Sequence, residues 1–136
     1  MAPEVGGMGE SKPQISNAEW EVMEVVWALG PLTPAEIIDR VATGREWNHR
    51  TVRTLLSRLI DKGALRREED GPRSIYRAAV SRHSCVREEG RTFLNKVFGG
   101  DATSLIVHFA KDARIPPEDI ERLKRMLDEK TVEDEP

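Results

Sequence analysis

The sequence predicts a mostly α-helical protein: a winged helix-turn-helix of three helices and a two-stranded wing, followed by a C-terminal helical region. Two amphipathic runs that begin with capping boxes precede a third run with a cationic face. An Asp-Gly turn between two short extended runs follows. We expect residues 1–12, rich in Gly, Pro and acid, to be a disordered tail, residues 13–80 the winged helix and residues 81–136 the helical region.

The first two helices are predicted from the residues that begin and end them. Ser16 and Thr33 each stand three residues before a glutamate, Glu19 and Glu36. At that spacing the hydroxyl and the carboxylate cap each other's backbone amides. Gly30, followed by a proline, ends the first helix, and a proline occupies the first position of the second.

The third helix, within residues 47–65, is the most informative segment. Its apolar residues recur at i, i+3, i+4, i+7 and i+8, while the opposite side carries no carboxylate before Asp61. Arginine and small hydrogen-bonding side chains on one face suit the DNA major groove, although a solvated basic face is the alternative. The predicted DNA-contacting residues are Asn48, which also caps the helix, Arg50, Thr51, Arg53, Thr54, Ser57 and Arg58.

A hairpin is predicted next, with extended runs at residues 65–69 and 73–77 on either side of Asp70-Gly71. Leu65 and Ile75 offer few apolar contacts, so we expect the hairpin to project as a flap. Its arginines are predicted to contact the DNA backbone or minor groove. These are Arg66, Arg67 and Arg73.

The charge distribution supports a nucleic-acid partner despite a net charge of −3. Residues 44–67 hold seven Lys and Arg against two carboxylates, a net of +5, whereas residues 15–43 hold one Arg against five carboxylates, a net of −4. A basic patch on an acidic protein concentrates phosphate binding on one surface.

The C-terminal region contains three predicted helices whose apolar faces need a partner. About fifty residues bury too little surface to form an independent domain, so the simplest partner is a second copy in a C2 dimer. The predicted interface residues are Phe93, Leu94, Val97, Leu105, Phe109, Ile120, Leu123 and Leu127.

Other classes of function find little support in the sequence. The single cysteine, Cys85, has only His83 nearby, which is too few ligands for zinc and lacks the orienting group of a catalytic pair. We therefore predict no enzyme activity, metal site or cofactor. No apolar run reaches membrane-spanning length, so a cytoplasmic protein without stable membrane association is expected.

Several segments resemble the BlaI/MecI penicillinase-repressor family, over about residues 13–129. They are residues 13–23 (PQISNAEWEVM), 51–59 (TVRTLLSRL), 62–65 (KGAL), 93–95 (FLN) and 104–109 (SLIVHF). The resemblance implies a dimeric winged-helix repressor of palindromic operators. It also implies a membrane-bound sensor metallopeptidase as partner, and cleavage at His108-Phe109, where family members can have Asn in place of His108.

The sequence is also compatible with two other interpretations. A non-specific architectural DNA-binding protein would use base-independent contacts and usually has a more basic composition overall. A winged-helix protein-interaction module would have no DNA role, and the cations on both the third helix and the wing argue against it.

Overall fold

The computed structural model describes residues 14–43 and 46–134 and confirms the predicted fold class. The predicted tail, residues 1–12, lies outside the described residues. The elements, in chain order, are α1 (Asn17–Leu29), α2 (Pro34–Ala42), α3 (His49–Asp61), β1 (Leu65–Asp70), β2 (Arg73–Ala78), α4 (Arg82–Phe98), α5 (Ala102–Asp112) and α6 (Pro117–Asp134).

Both predicted capping boxes are present. The amide of Glu19 donates to Ser16 Oγ at 3.1 Å, and the Ser16 amide donates to Glu19 Oε1 at 2.8 Å. Thr33 and Glu36 make the same reciprocal pair at 3.2 and 2.8 Å. Gly30 ends α1 at φ 83°, a left-handed conformation that a side chain would strain. These local signals fix where α1 and α2 begin and how sharply the chain turns between them.

The core of the winged helix is formed by the inner faces of α1, α2 and α3. The predicted stripe of α3 is buried at Val52, Leu55, Leu56 and Leu59. Burying a leucine contributes roughly 1.5–3 kcal/mol, so this stripe fixes which side of α3 remains in water. The other fully buried side chains of this core include Val22, Met23, Ile37 and Val41.

The wing is attached to the core, and the expectation of a projecting flap was wrong. Leu65 is only 2% exposed, and Tyr76 packs against the core. The Tyr76 amide donates to the Leu32 carbonyl at 2.8 Å, and the Leu32 amide donates to the Tyr76 carbonyl at 3.2 Å. This pairing uses the backbone of the loop between α1 and α2, where no side-chain pattern indicates a strand.

The chain divides into two compact units, Met1–Arg91 and Thr92–Pro136. The first unit extends beyond residue 80 into α4, because Cys85 on the first turns of α4 is buried in the winged-helix core. In the second unit, which holds the rest of α4 with α5 and α6, none of the described side chains is fully buried. The functional division at residue 80 stays a prediction.

Among the described residues of the first unit, one charged side chain is buried. Glu19 is 1% exposed, and its Oε1 accepts a hydrogen bond from Lys62 Nζ at 2.5 Å. Lys62 Nζ also donates to the Gln14 carbonyl at 2.7 Å. Burial raises the pKa of Glu19, but hydrogen bonds from Lys62 and Ser16 outweigh it and leave the pKa below its usual value. The pair therefore joins the start of α1 to the end of α3.

We expect Glu19→Gln to lower the free energy of unfolding at pH 7 by about 1.5–3 kcal/mol, the range for hydrogen bonds to charged groups. Because the folded state lowers the pKa of Glu19, its contribution is complete above the usual value of 4.5 and is lost as the pH falls below it. Urea unfolding from pH 7 to pH 3 should show the difference from wild type narrowing below about pH 4.5. Glu89→Gln, on the exposed side of α4, is the control; a difference independent of pH would contradict this account.

Candidate nucleic-acid interface

The N-terminus of α3 is fixed by a side-chain cap. Asn48 Oδ1 accepts a hydrogen bond from the Thr51 amide at 2.8 Å, as its predicted capping role requires. The Asn48 side-chain NH₂ group can still donate to a phosphate. At the other end, Gly63 adopts φ 83° directly after the helix and turns the chain into β1.

The outer face of α3 carries the side chains that the sequence predicted for DNA. Their positions alternate with the buried stripe, so one face of the helix is available to a groove. The Thr54 hydroxyl donates to the Arg50 carbonyl at 3.1 Å, which fixes the Thr54 side chain on the helix. The exposed residues are Asn48, Arg50, Thr51, Arg53, Thr54, Ser57 and Arg58.

Within the described part of the chain, Arg50, Arg53 and Arg58 form no ion pair with a carboxylate. Their charge is therefore available to phosphates or to guanine edges. Lys62, which contributed to the basic segment in the sequence, is instead held by Glu19. The cations presented by α3 are thus three arginines.

The arginines of the wing are paired with the wing's own carboxylates. Arg66 and Arg77 both reach Glu68, at 3.1 and 3.0 Å. Arg77 and then Arg66 hold the pKa of the Glu68 carboxyl below its usual range, so Glu68 is ionised at neutral pH. Arg73 Nη2 lies 3.6 Å from the carboxylate of Asp70.

Arg67 lies on the opposite face of the ribbon from Arg66, because successive residues of a strand alternate. In the register, Arg67 stands opposite Tyr76 and Arg66 opposite Arg77. Arg67 donates to Ser74 Oγ at 3.0 and 3.1 Å and lies 3.9 Å from Glu69. The structure therefore does not bring the three predicted wing arginines onto one surface.

Comparison with known proteins identifies the family. The penicillinase repressor family model matches residues 15–129. The chain belongs to the penicillinase repressor family. It is accordingly a DNA-binding transcriptional repressor, and the resemblance found in the sequence is confirmed.

Individual relatives cover most of the chain. The methicillin resistance regulatory protein MecI of Mammaliicoccus sciuri is 32% identical over 117 residues, which are 86% of this chain and 95% of that protein. The penicillinase repressor of Staphylococcus aureus is 31% identical over 122 residues, or 90% and 97% of the two chains. The solution structure of monomeric Bacillus licheniformis BlaI in complex with the blaP half-operator is 36% identical, covers 53% of this chain and 88% of that chain, and has a TM-score of 0.49.

The second unit of the repressor exposes the apolar side chains that were predicted to form a dimer interface. Val97 is 54% exposed, and six of the eight predicted residues are exposed while Leu94 and Leu105 are half-buried. The predicted set of interface residues omitted three further apolar side chains that are exposed, although their helical spacing was visible in the sequence. These are Ile106, Val107 and Met126.

The described residues of the repressor contain neither a metal-binding cluster nor a membrane-spanning helix. No three His, Cys, Asp or Glu side chains there are grouped to hold a metal ion. No helix among those residues is long and apolar enough to cross a membrane.

We expect Arg53→Ala to reduce operator affinity and relax sequence preference by about 1–3 kcal/mol, the value of a bidentate guanine contact. Arg67→Ala should weaken binding to all sequences alike and by less, because the wild-type guanidinium is already held by Ser74 and Glu69. Fluorescence anisotropy with an operator and with single-base variants of it measures both effects. Arg87→Ala, exposed on α4, is the control. A change of sequence specificity in Arg67→Ala but not in Arg53→Ala would contradict this assignment and indicate that the wing reads the bases.

Proposed function

We propose that this repressor binds palindromic operator DNA as a homodimer, with α3 of each protomer in the major groove. The observation that carries the proposal is the outer face of α3, whose three arginines lack ion-pair partners among the described residues. The helix is held rigidly behind that face by its buried stripe. A rigid helix with free guanidinium groups suits base contacts, since each bidentate contact needs fixed geometry.

Contacts to the DNA backbone would come from groups at the edge of this face. The Asn48 side-chain NH₂ lies at the N-terminus of α3, where the helix dipole also favours a phosphate. Arg67 or Arg73 of the wing would contribute after exchanging a carboxylate neighbour for a phosphate. The wing is therefore expected to contribute less to affinity than α3.

Dimerisation is proposed to use residues 81–136. The second unit, Thr92–Pro136, exposes apolar side chains on α4, α5 and α6 and has no fully buried described side chain. A unit of that size needs additional apolar contacts to be stable, and a second copy supplies them with twofold symmetry. The symmetry of the dimer would match the palindrome of the operator.

Induction is proposed to occur by cleavage at His108-Phe109, carried out by a membrane-bound sensor metallopeptidase while the repressor is in the cytoplasm. Both side chains are exposed, and the bond lies within α5. A helical backbone is a poor protease substrate, so α5 must open locally before it is cut. Cleavage would separate Phe109 and all of α6 from the remaining chain and so remove part of the proposed interface.

The architectural and protein-interaction alternatives are separated from this function by their dependence on DNA sequence. An architectural protein would bind all sequences equally, and an interaction module would not bind DNA at biologically relevant salt. The family relatives are named as repressors, which favours the specific function. The proposed mechanism contains no catalytic step.

We expect affinity for the native promoter to exceed affinity for random duplex and to fall steeply with salt. Each phosphate neutralised contributes about −0.9 to the slope of log K against log salt concentration, so six contacts give a slope near −5. Titrations at several salt concentrations with both duplexes measure the two quantities. Equal affinity for promoter and random DNA would favour the architectural alternative.

We expect a fragment of residues 1–91 to fold, because it contains the entire core, and to be monomeric. It should bind a single half-site. Its affinity for the full palindrome should be roughly 10²–10⁴-fold lower than that of the full chain, because a monomer cannot bind both half-sites at once. Sedimentation equilibrium and titration of both duplexes measure this. A dimeric fragment would place the interface in the first unit and contradict the proposal.

We expect a chain that ends at His108 to dimerise and bind operator more weakly than the full chain. Burial contributes about 25 cal/mol per Å² of apolar surface, so losing Phe109, Ile120 and Leu123 costs several kcal/mol. In the native host, immunoblots under cell-wall or oxidative stress should show the shortened chain when repression is relieved. Relief of repression with only full-length protein would exclude cleavage as the switch.

A further inference from the structure

The segment that joins β2 to α4 is attached to α1 by a group of contacts made by residues outside α3 and the wing. The Trp27 indole Nε1 donates to the Val80 carbonyl at 3.0 Å. Arg82 donates through Nε and Nη2 to the two carboxylate oxygens of Glu24, at 2.9 and 3.1 Å. Trp20 Nε1 donates to the same carboxylate at 3.1 Å. We call these five residues the α4 clamp.

The neighbouring backbone is fixed as well, so the first turns of α4 have one position in the winged-helix unit. The Ala79 amide donates to the Ala64 carbonyl at 2.8 Å. Ser81 caps the helix, its Oγ accepting from the Ser84 amide at 3.0 Å. Cys85 is buried in the core. The rings of Trp20 and Trp27 meet edge to face at 5.5 Å between centroids, which holds both indoles in place.

The ion pair of the clamp contributes little to the free energy of unfolding, but it strongly restricts the orientation of the Arg82 side chain. The side chains of Arg82 and Glu24 are 55% and 41% exposed, and exposed pairs contribute little to unfolding free energy. A two-point arginine–carboxylate contact nevertheless restricts orientation much more than a single bond does. Trp20 adds a third donor to the same carboxylate and further limits where the Arg82 guanidinium can lie.

Helix α1 connects this clamp with the DNA-contacting helix. Near its start, Glu19 holds Lys62 at the end of α3, and five residues later Glu24 holds Arg82 at the start of α4. Both α3 and the beginning of α4 are thus oriented by contacts with the same helix, α1. The chain reaches the Thr92–Pro136 unit along α4.

We propose that the α4 clamp is a positioning element that sets the spacing between operator half-sites. The proposal rests on the dimeric operator function, in which the two α3 helices must reach major grooves about one helical turn apart, roughly 34–36 Å. Because α4 continues from the clamp into the unit proposed to dimerise, the clamp limits the directions in which the chain can leave the winged-helix unit. Loosening the clamp therefore weakens discrimination between spacings and leaves contacts within each half-site unchanged.

The test uses full-length protein and duplexes selected by the wild type from a randomised DNA pool. From the selected palindrome, duplexes are made with the half-sites moved one or two base pairs closer or further apart, together with a single half-site. Arg82→Met should reduce the preference for the selected spacing by roughly tenfold, a small part of the 10²–10⁴ that simultaneous engagement supplies. Its affinity for the single half-site should stay within about twofold of wild type, since distant sites act independently.

A charge exchange and a matched control make the result specific. Arg82→Glu should lose the spacing preference, and adding Glu24→Arg should restore part of it, because the ion pair returns while the Trp20 indole loses its acceptor. Arg91→Met removes an arginine paired at 3.6 Å with Glu88 inside α4 and should leave the preference unchanged. Thermal unfolding midpoints should change by no more than about 4–8 °C, because an exposed ion pair contributes little to stability.

Three outcomes contradict the proposal in different ways. Arg82→Met with wild-type spacing preference would show that the clamp does not set the spacing. Loss of single half-site binding in Arg82→Met would show that the clamp only supports the winged-helix fold. Wild-type protein without any spacing preference would overturn the dimeric operator function itself, and the positioning role with it.

Discussion

The contact between Glu19 and Lys62 joins residues 43 positions apart and closes the winged helix between the first turn of α1 and the end of α3. The carboxylate has two tasks, since it also accepts the Ser16 amide as part of the capping box. A buried carboxylate is stable only when hydrogen-bond donors satisfy it. Removing either the lysine or the capping contact would therefore leave the Glu19 carboxylate poorly satisfied. The orientation of α3, the helix proposed to contact DNA, therefore depends on a capping residue whose local role gives no hint of the distant lysine.

Charge is distributed differently on the two elements proposed to meet DNA. The arginines of α3 lack carboxylate partners among the described residues, whereas Glu68 alone holds two arginines of the wing. Unpaired cations gain more from a phosphate or a guanine, because no existing contact must be given up. This difference supports the proposal that a chain with a net charge of −3 concentrates DNA binding on one helix.

The two units differ in how much of their apolar surface is buried within the unit. The first has a core that includes residues from α1 through Cys85 of α4, so its fold is internally sufficient. The second leaves side chains such as Val97 and Met126 about half exposed. Apolar surface of this kind is stabilised by association, and this is why the proposed dimer interface is assigned to the second unit.

The sequence by itself determined the helices, their caps, the hairpin and the outer face of α3. These features depend on side chains a few residues apart, such as Ser16 with Glu19 or Asn48 with Thr51, and on a periodicity that is local. The tertiary structure alone decided that Lys62 belongs to Glu19, that Tyr76 pairs with the backbone of Leu32, and that Glu24 holds Arg82. Those contacts join distant segments through single charges or backbone groups, and neither leaves a periodic pattern in the chain.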